Sequence, residues 1–371
     1  MKWDVLCAGM ELAFGTEPGE ITIVFSGGEP LLEFGLLRQA VEYAEQTGRQ
    51  HKRLRYKLCT NGLLMSGATA DFLDKYQFKI QLSFDGVSPA QDYRGEGTFS
   101  ILDRVLDLLR FGHPDLFRER LRIPMTVIPA TLRYLPDSLA YLLGKGVREI
   151  GISPGMLHYP GWCRETVDEL EEQIGKLADL SRRHLEQTGE VPVTMFRKGR
   201  EQGTGKSTGL PPCNAFARRV LALDVDGQLY SCPMFARSYQ TFPPGSRMAA
   251  LSSFGMGDVR DPESAMRFAM PLETDRDPSS GAFPEGRHSF YGKCRECEYA
   301  GRCLICPVTM WHAPAAAEPH RVPDFICAFN RAVMKSRDRF PVMPAQGRSS
   351  DTTDYDPIMR LEQVLRAHQS M

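Results

Sequence analysis

The chain has 371 residues, with 45 lysines and arginines against 46 aspartates and glutamates, and a net charge of −1. This balance gives no reason to expect a nucleic-acid or membrane-surface partner, because both attract basic proteins. We find no apolar run long enough to span a membrane and no secretion signal among the first residues, which include Asp4 and Glu11. The expectation is a cytoplasmic protein with two domains, or one large domain with an extension.

Strand-like and helix-like segments alternate through the first 155 residues. We predict strands at residues 21–25, 54–58, 78–84, 123–128 and 149–152, with helices between most of them. Strands separated by helices favour parallel pairing, and functional residues of parallel sheets gather where the strands end. Those ends are residues 27–30, 60–62 and 83–86.

The second half is organised differently. Apolar residues at helical spacing predict an amphipathic, core-facing helix over 167–180. A basic segment rich in Gly, Ser and Pro, residues 196–212, is predicted to be a linker. Beyond it, residues 220–231 predict a β-hairpin around Asp226-Gly227, which would place Cys232 at the end of its second strand.

Seven of the ten cysteines lie between Cys213 and Cys327. They include two Cys-x-x-Cys pairs, a spacing that lets adjacent thiolates reach one metal centre. Disulfides need an oxidising compartment, so we favour metal ligands, either of iron–sulfur clusters or of zinc. The predicted ligands are Cys213, Cys232, Cys294, Cys297, Cys303, Cys306 and Cys327. The remaining three, Cys7, Cys59 and Cys163, are predicted to be ordinary thiols.

These residues together resemble the radical S-adenosylmethionine superfamily and its SPASM members. Residues 25–32 are similar to the Gly-Gly-Glu-Pro segment that ends the second barrel strand of that family, and residues 60–62 and 83–86 are similar to the segments after its third and fourth strands. The cysteine array has the SPASM order: Cys213, thirteen residues, Gly227, four residues, Cys232, and then Cys294, Cys297 and Cys303 at the family spacing. The resemblance covers roughly residues 3–330.

The resemblance implies an α/β fold: a partial (β/α)6 TIM-like barrel without its first strand, plus a cysteine-rich SPASM extension. The expected division is a barrel over residues 1–195, a linker over 196–212, the auxiliary-cluster domain over 213–330, and a C-terminal tail with a helix over 331–371.

It also implies an S-adenosylmethionine pocket. Gly27, Gly28, Glu29 and Pro30 would grip the methionine amino group, with glycines that admit close approach and a carboxylate for the ammonium. Asn61 belongs to the segment after the third family strand, and Ser83 and Arg94 match positions that hold the ribose and the carboxylate. A solvated loop acid at Glu29 and a surface arginine at Arg94 are the alternatives.

Family connectivity implies two auxiliary 4Fe-4S clusters. One would have four thiolates: Cys294, Cys297, Cys303 and Cys327. The other would have Cys213, Cys232 and Cys306, and the sequence leaves two alternatives for its fourth iron: an open site or a filled one. An open iron site would bind substrate or a non-cysteine ligand, whereas a cluster with all four irons ligated by the protein would mainly transfer electrons.

The chain departs from the family pattern in three places. Members carry Cys-x3-Cys-x2-Cys before the Gly-Gly-Glu-Pro segment, for the cluster that cleaves S-adenosylmethionine, whereas Cys7 alone precedes Gly27 here. We expect that the first strand is missing from this sequence and that the chain as given is inactive, with degeneration as the alternative. Cys303-x2-Cys306 is one residue short of the family spacing, and Pro233 replaces an acidic residue of sulfatase-maturing members.

The function implied is modification of a peptide or protein side chain by hydrogen abstraction, with the auxiliary clusters handling electrons and a flavodoxin or ferredoxin as electron donor. Nothing in the sequence indicates a catalytic residue. The alternatives are a non-catalytic scaffold that keeps the auxiliary clusters, and a zinc-binding module.

Overall fold

The computed structural model describes residues 1–16, 19–49, 52–155, 161–198, 220–239, 255–261, 263, 286–300, 303, 305–306 and 320–342. Its first half is a parallel sheet whose strands alternate with helices. The strands are β1 (Glu20–Phe25), β2 (Arg53–Thr60), β3 (Lys79–Leu82), β4 (Leu121–Val127) and β5 (Ile150–Pro154). The helices are α1 (Trp3–Phe14), α2 (Phe34–Thr47), α3 (Gly67–Lys75), α4 (Ser88–Gln91), α5 (Phe99–Gly112), α6 (Pro114–Arg120), α7 (Leu135–Lys145) and α8 (Arg164–Thr188).

The five strands lie in chain order, β1-β2-β3-β4-β5, and every neighbouring pair is parallel. Beyond β5, Val193 makes one further parallel bridge to Ile150. The five parallel strands predicted from the sequence are therefore confirmed, and their bounds differ by a few residues. Sequential order follows from the helices, because each crossover returns the chain to the adjacent sheet position.

One face of the sheet packs against the helices and forms the core. Alternation along β2 shows how the sequence specifies this: Leu54, Tyr56 and Leu58 are buried in the core, while Arg55 and Lys57 are half-buried on the other face. Apolar side chains of α2, α3, α5, α7 and α8 complete the core. The amphipathic helix predicted around residues 167–180 is α8, and its apolar side chains are buried as expected.

The C-terminal part consists of short strands and one helix. The predicted hairpin is confirmed: β6 (Ala222–Leu223) pairs antiparallel with β7 (Gln228–Tyr230), which pairs with β8 (Gly255–Asp258). A second hairpin joins β9 (His288–Ser289) to β10 (Gly292–Lys293). Short 3-10 turns cover Pro30–Glu33, Pro129–Tyr134, Thr194–Phe196, Pro233–Phe235, Arg237–Tyr239 and Cys294–Glu296.

The last helix, α9 (Asp324–Arg337), joins the two parts. Its Ala328, Phe329 and Ala332 are buried in the barrel-side core, next to α8. The Phe325 ring stacks on Trp162 with 5.1 Å between ring centroids. The sequence predicts a domain boundary at residue 330, but this helix continues across it. Its apolar face packs into the core of the first half of the molecule.

Two other expectations fall mostly outside the described residues. Of the predicted linker, residues 196–198 are described, and Phe196 is fully buried against Phe340 rather than exposed. Of the predicted tail, the described part ends at residue 342. None of the described helices is long and apolar enough to cross a membrane.

Candidate functional site

The segment after β1 leaves room for a ligand beside its backbone. Gly27 has φ of +139°, a conformation that side chains other than glycine rarely adopt. A Cβ added at Gly27 or Gly28 would meet no described heavy atom within 4 Å. The loop is therefore an open cradle at the carboxyl end of the sheet, where ligands of parallel sheets bind.

Glu29 connects the ends of β1 and β2. Its Oε1 accepts hydrogen bonds from the backbone N–H of Leu31, at 3.0 Å, and from Thr60 Oγ1, at 2.7 Å. Its Oε2 accepts the backbone N–H of Asn61 at 2.7 Å. A carboxylate offers about four acceptor positions, so these three bonds leave one on Oε2 for an ammonium donor. Glu29 is thus not a solvated loop acid.

Arg94 already has a carboxylate partner on this chain. Its Nε and Nη2 each donate to Asp85 at 2.8 Å, and Nη2 also donates to Thr126 Oγ1 at 3.0 Å. Both charged side chains are only 8% exposed, so the surface-arginine alternative does not hold. These bonds use Nε and Nη2, and the guanidinium has a third nitrogen with two further N–H groups.

Ser83 and Asn61 stand beside these two residues. Ser83 is buried, and its backbone N–H donates to the Thr60 carbonyl at 2.9 Å. The Oδ1 of Asn61 accepts the Leu63 N–H at 2.9 Å, which fixes the turn after β2. The structure thus brings the segments carrying Glu29, Asn61 and Ser83 to one end of the sheet through direct contacts.

Four thiols of the C-terminal part share one environment. The pKa values of Cys303 and Cys327 are each raised chiefly by burial and further by nearby thiols, including Cys294 and Cys297. Burial raises the pKa of Cys303 to about 11. These are the four cysteines that family connectivity assigns to one cluster. Three lie between residues 294 and 303, and the fourth, Cys327, lies on α9.

The four thiols are candidate metal ligands. Among the described residues, no group of three His, Cys, Asp or Glu side chains is arranged to hold a single metal ion. All nine described cysteines are free thiols. Burial lowers the pKa of the nearby Arg287, while Cys294 and Cys303 raise it, so a cation faces the site.

Polar side chains around these thiols escaped the sequence analysis. On α9, Asn330 Nδ2 donates to Cys303 Sγ at 3.5 Å, and Arg331 Nη1 donates to Cys297 Sγ at 3.4 Å. Both lie one helical turn beyond Cys327, at i+3 and i+4, so a predicted helix there would have indicated them. Donors to a ligand sulfur stabilise its negative charge and adjust the reduction potential of a bound cluster.

The second predicted set of ligands stays a prediction. Cys232 is buried at the end of β7, as the hairpin predicted, and Cys306 is half-buried. Cys213 lies outside the described residues.

Comparison with known proteins gives fold-level similarity and two partial sequence matches. The chain superposes on anSMEcpe with bound AdoMet at a TM-score of 0.69, with 16% identity, over 99% of this chain and 90% of that one. Another anSMEcpe structure, with bound AdoMet and Kp18Cys peptide, gives a TM-score of 0.66, with 17% identity, over 91% of this chain and 88% of that one. No protein-family model matches the chain.

Among curated proteins, the radical SAM cyclopropyl synthase TigE of Paramaledivibacter caminithermalis is 28% identical over 89 residues, 24% of this chain and 18% of that protein. An uncharacterized protein of Methanocaldococcus jannaschii is 28% identical over 133 residues, 35% of this chain and 45% of that protein. The chain thus matches less than half the length of either curated relative.

The resemblance to the radical S-adenosylmethionine superfamily and its SPASM members is confirmed at the level of the fold. The α/β partial barrel with a cysteine-rich extension is confirmed as well. Its strand ends hold the cradle at Gly27 and Gly28, a carboxylate with one acceptor position left, and an arginine with a further nitrogen. This donor and acceptor set fits a methionine ammonium and carboxylate.

Proposed function

We propose that this chain is part of a radical S-adenosylmethionine enzyme that modifies a side chain of a peptide or protein. The observation that carries the proposal is the grouping of Cys294, Cys297 and Cys303 around Cys327 of α9, in a chain with the superfamily fold. A peptide substrate is supported by the neighbour with a bound Kp18Cys peptide. When bound, S-adenosylmethionine and its cluster would supply hydrogen abstraction.

The residues of this chain would bind and orient. Glu29 would accept the methionine ammonium on Oε2 while its other bonds hold the β2 end in place. Arg94, locked by Asp85, would present its remaining N–H groups to a carboxylate without rearranging. Such preorganisation lowers the entropic cost of binding. Ser83 and Asn61 would line the ribose side.

In the C-terminal part, Cys294, Cys297, Cys303 and Cys327 would hold one auxiliary 4Fe-4S cluster, and Cys213, Cys232 and Cys306 a second. Asn330 and Arg331 would donate hydrogen bonds to the sulfurs of the first. The clusters would receive electrons from a donor such as a flavodoxin or ferredoxin. Free thiols persist in a reducing compartment such as the cytoplasm. In the proposed domain division, residues 196–212 are the linker and residues 213–330 are the auxiliary-cluster domain.

The decisive experiment is metal analysis of the anaerobically reconstituted 371-residue protein. Two 4Fe-4S clusters give about eight irons per chain. Cys294→Ala with Cys297→Ala should remove about half of that iron, whereas Cys163→Ala, at an exposed thiol, should remove none. Stoichiometric zinc without iron would refute the proposal and favour a zinc module.

The same sample tests the radical chemistry. No Cys-x3-Cys-x2-Cys occurs in these 371 residues. The polypeptide of this sequence, given dithionite and S-adenosylmethionine, is therefore expected to form no 5′-deoxyadenosine, measured by chromatography. Its formation would show that other thiolates hold a cleaving cluster.

A further inference from the structure

Each of the four grouped thiols has a polar side chain beside its sulfur. The pairs are Cys294 with Arg287, Cys297 with Arg331, Cys303 with Asn330, and Cys327 with Ser289. A thiolate is the form that binds metal, and a buried thiolate needs donors or cations to offset its charge. The surroundings of the four sulfurs therefore fit the thiolate ligands of the proposed auxiliary cluster.

Arg331 is a cation in this set that several groups hold in place. Its Nη1 donates to Cys297 Sγ at 3.4 Å, and its Nη2 lies 3.7 Å from the Glu298 carboxylate. Its guanidinium carbon lies 4.7 Å from the centroid of the Tyr291 ring and 5.4 Å from that of Tyr299. Both distances fall within the roughly 6 Å over which an aromatic face attracts a cation. Its backbone belongs to α9, whose apolar face is packed in the core.

Tyr291 connects this arrangement with the barrel. It lies in the turn between β9 and β10, and its hydroxyl donates to Glu171 Oε1 of α8 at 3.1 Å. Burial, together with the charge of Glu171, raises the pKa of Tyr291, so the phenol remains protonated as a donor. The residue is 40% exposed, so burial alone does not explain its placement. The hydroxyl is thus anchored on α8 while the ring lies against Arg331.

We infer that Tyr291 is a positioning residue which, anchored on Glu171, holds Arg331 at the Cys297 sulfur and so raises the reduction potential of the auxiliary cluster. Reduction adds one negative charge to a cluster, and a cation that bonds a ligand sulfur favours the reduced form. Without the ring, the guanidinium would turn toward water, where its charge is screened. The inference rests on the proposed function for the presence of the cluster.

The test is an anaerobic potentiometric titration of the iron-reconstituted protein, followed by electron paramagnetic resonance of the reduced clusters. Arg331→Gln should lower the equilibrium constant for one-electron reduction of this cluster about tenfold, which is a potential lower by about 59 mV. Arg331→Lys keeps the charge without the planar fork and should lose less. The protein with Cys294→Ala and Cys297→Ala shows the second cluster alone, which identifies the signal of the first. An unchanged potential in Arg331→Gln would overturn the inference.

A double-mutant cycle tests whether Tyr291 acts through Arg331. Tyr291→Leu alone should lower the same equilibrium constant about threefold, as for one lost cation–π contact. Tyr291→Phe, which keeps the ring but not the bond to Glu171, should fall between Leu and wild type. Tyr291→Leu added to Arg331→Gln should change nothing further, because its effect needs the guanidinium. A full second shift in the double variant would show that the ring acts on the cluster directly, which overturns the positioning role.

Arg295→Gln is the matched control for charge. It removes one positive charge from the neighbouring segment, at a side chain that is 70% exposed, so solvent should screen its effect and the potential should hardly move. A shift as large as that of Arg331→Gln would mean that net charge, and not the held contact, sets the potential, which overturns the inference. Thermal melting of each variant confirms that it folds.

The outcomes separate this inference from the proposed function. A protein that takes up no iron overturns both. An iron-loaded protein whose potential is the same with and without Arg331 overturns the inference alone. If the potential depends on Arg331 and Tyr291, but a chain that also carries the radical-cluster cysteines modifies no peptide, the proposed function alone is refuted.

Discussion

At the residue scale, Glu29 has a structural task in addition to its proposed ligand contact. One carboxylate accepts three hydrogen bonds that connect the turn after β1 with the end of β2. Hydrogen bonds to a charged acceptor are stronger than neutral ones, and the backbone donors they satisfy would otherwise be left without an acceptor. The cradle at Gly27 therefore depends on Glu29 before any ligand arrives.

Replacing Glu29 with Gln should reveal both tasks. The amide keeps the shape, but its NH2 group would face the Asn61 N–H, donor against donor. We expect a loss of about 1–3 kcal/mol in the free energy of unfolding, measured by urea titration. In a chain that also carries the radical-cluster cysteines, S-adenosylmethionine binding should weaken by a similar amount, measured by calorimetry. Glu33→Gln, at an exposed position, is the control. If Glu29→Gln is as stable as the wild type, the Glu29 hydrogen bonds do not stabilise the connection between the ends of β1 and β2.

At the element scale, an ion-pair cluster ties α3 to the end of α6. Asp74, near the end of α3, is bonded to Arg120, the last residue of α6, and to His113 Nδ1 at 3.3 Å. The Arg120 hydrogen bond is the main cause that lowers the pKa of Asp74 below its ordinary value of 3.8. These residues precede β3 and β4, at the end of the sheet opposite the cradle, so we assign them to stability.

Asp74→Asn should therefore act through stability and with a defined pH dependence. We expect a loss of about 1 kcal/mol at pH 7, modest because the Asp74 side chain is 34% exposed. Because the pKa of Asp74 is lower in the folded chain than its ordinary value of 3.8, its carboxylate contributes its full stabilisation only above that pH. The difference in unfolding free energy from wild type should therefore shrink as pH falls below 3.8. Asp71→Asn is the matched control, since Asp71 is 77% exposed and 3.6 Å from His113. A constant difference in urea titrations from pH 7 to pH 3 would contradict this origin.

At the scale of the whole molecule, α9 couples the two halves. Its apolar face packs in the core beside α8, and its Cys327 belongs to the group of four thiols. Because metal binding is linked to folding, a cluster held partly by α9 should stabilise the barrel as well as the extension.

Cys327→Ser should test this coupling. In the iron-loaded protein the change should lower the Tm of the whole chain by several degrees, since a lost ligand weakens the cluster. In the metal-free protein it should leave the Tm nearly unchanged. Cys163→Ser, at an exposed thiol, should have no effect in either form. A Tm loss of equal size in the metal-free protein would show that Cys327 acts by packing and not through metal.

Much of the architecture could be predicted because it depends on local patterns. Alternation along β2 and the helical spacing of α5 and α8 specify which side chains are buried, and glycines mark the ends of the first three strands. The hairpin that ends at Cys232 follows from Asp226-Gly227. These features require interactions between residues that are close in sequence or related by a fixed period.

The sequence by itself determined the parallel α/β sheet, the position of residues 27–30 at the carboxyl end of its first strand, and the local cysteine pairs. The tertiary structure alone decided that Arg94 pairs with Asp85, that Glu29 holds Asn61, and that α9 brings Asn330 and Arg331 to the thiols. It also placed Tyr291 and Tyr299 beside Arg331. Such contacts join residues from different elements, and their geometry depends on strand register and helix packing, which no local pattern encodes.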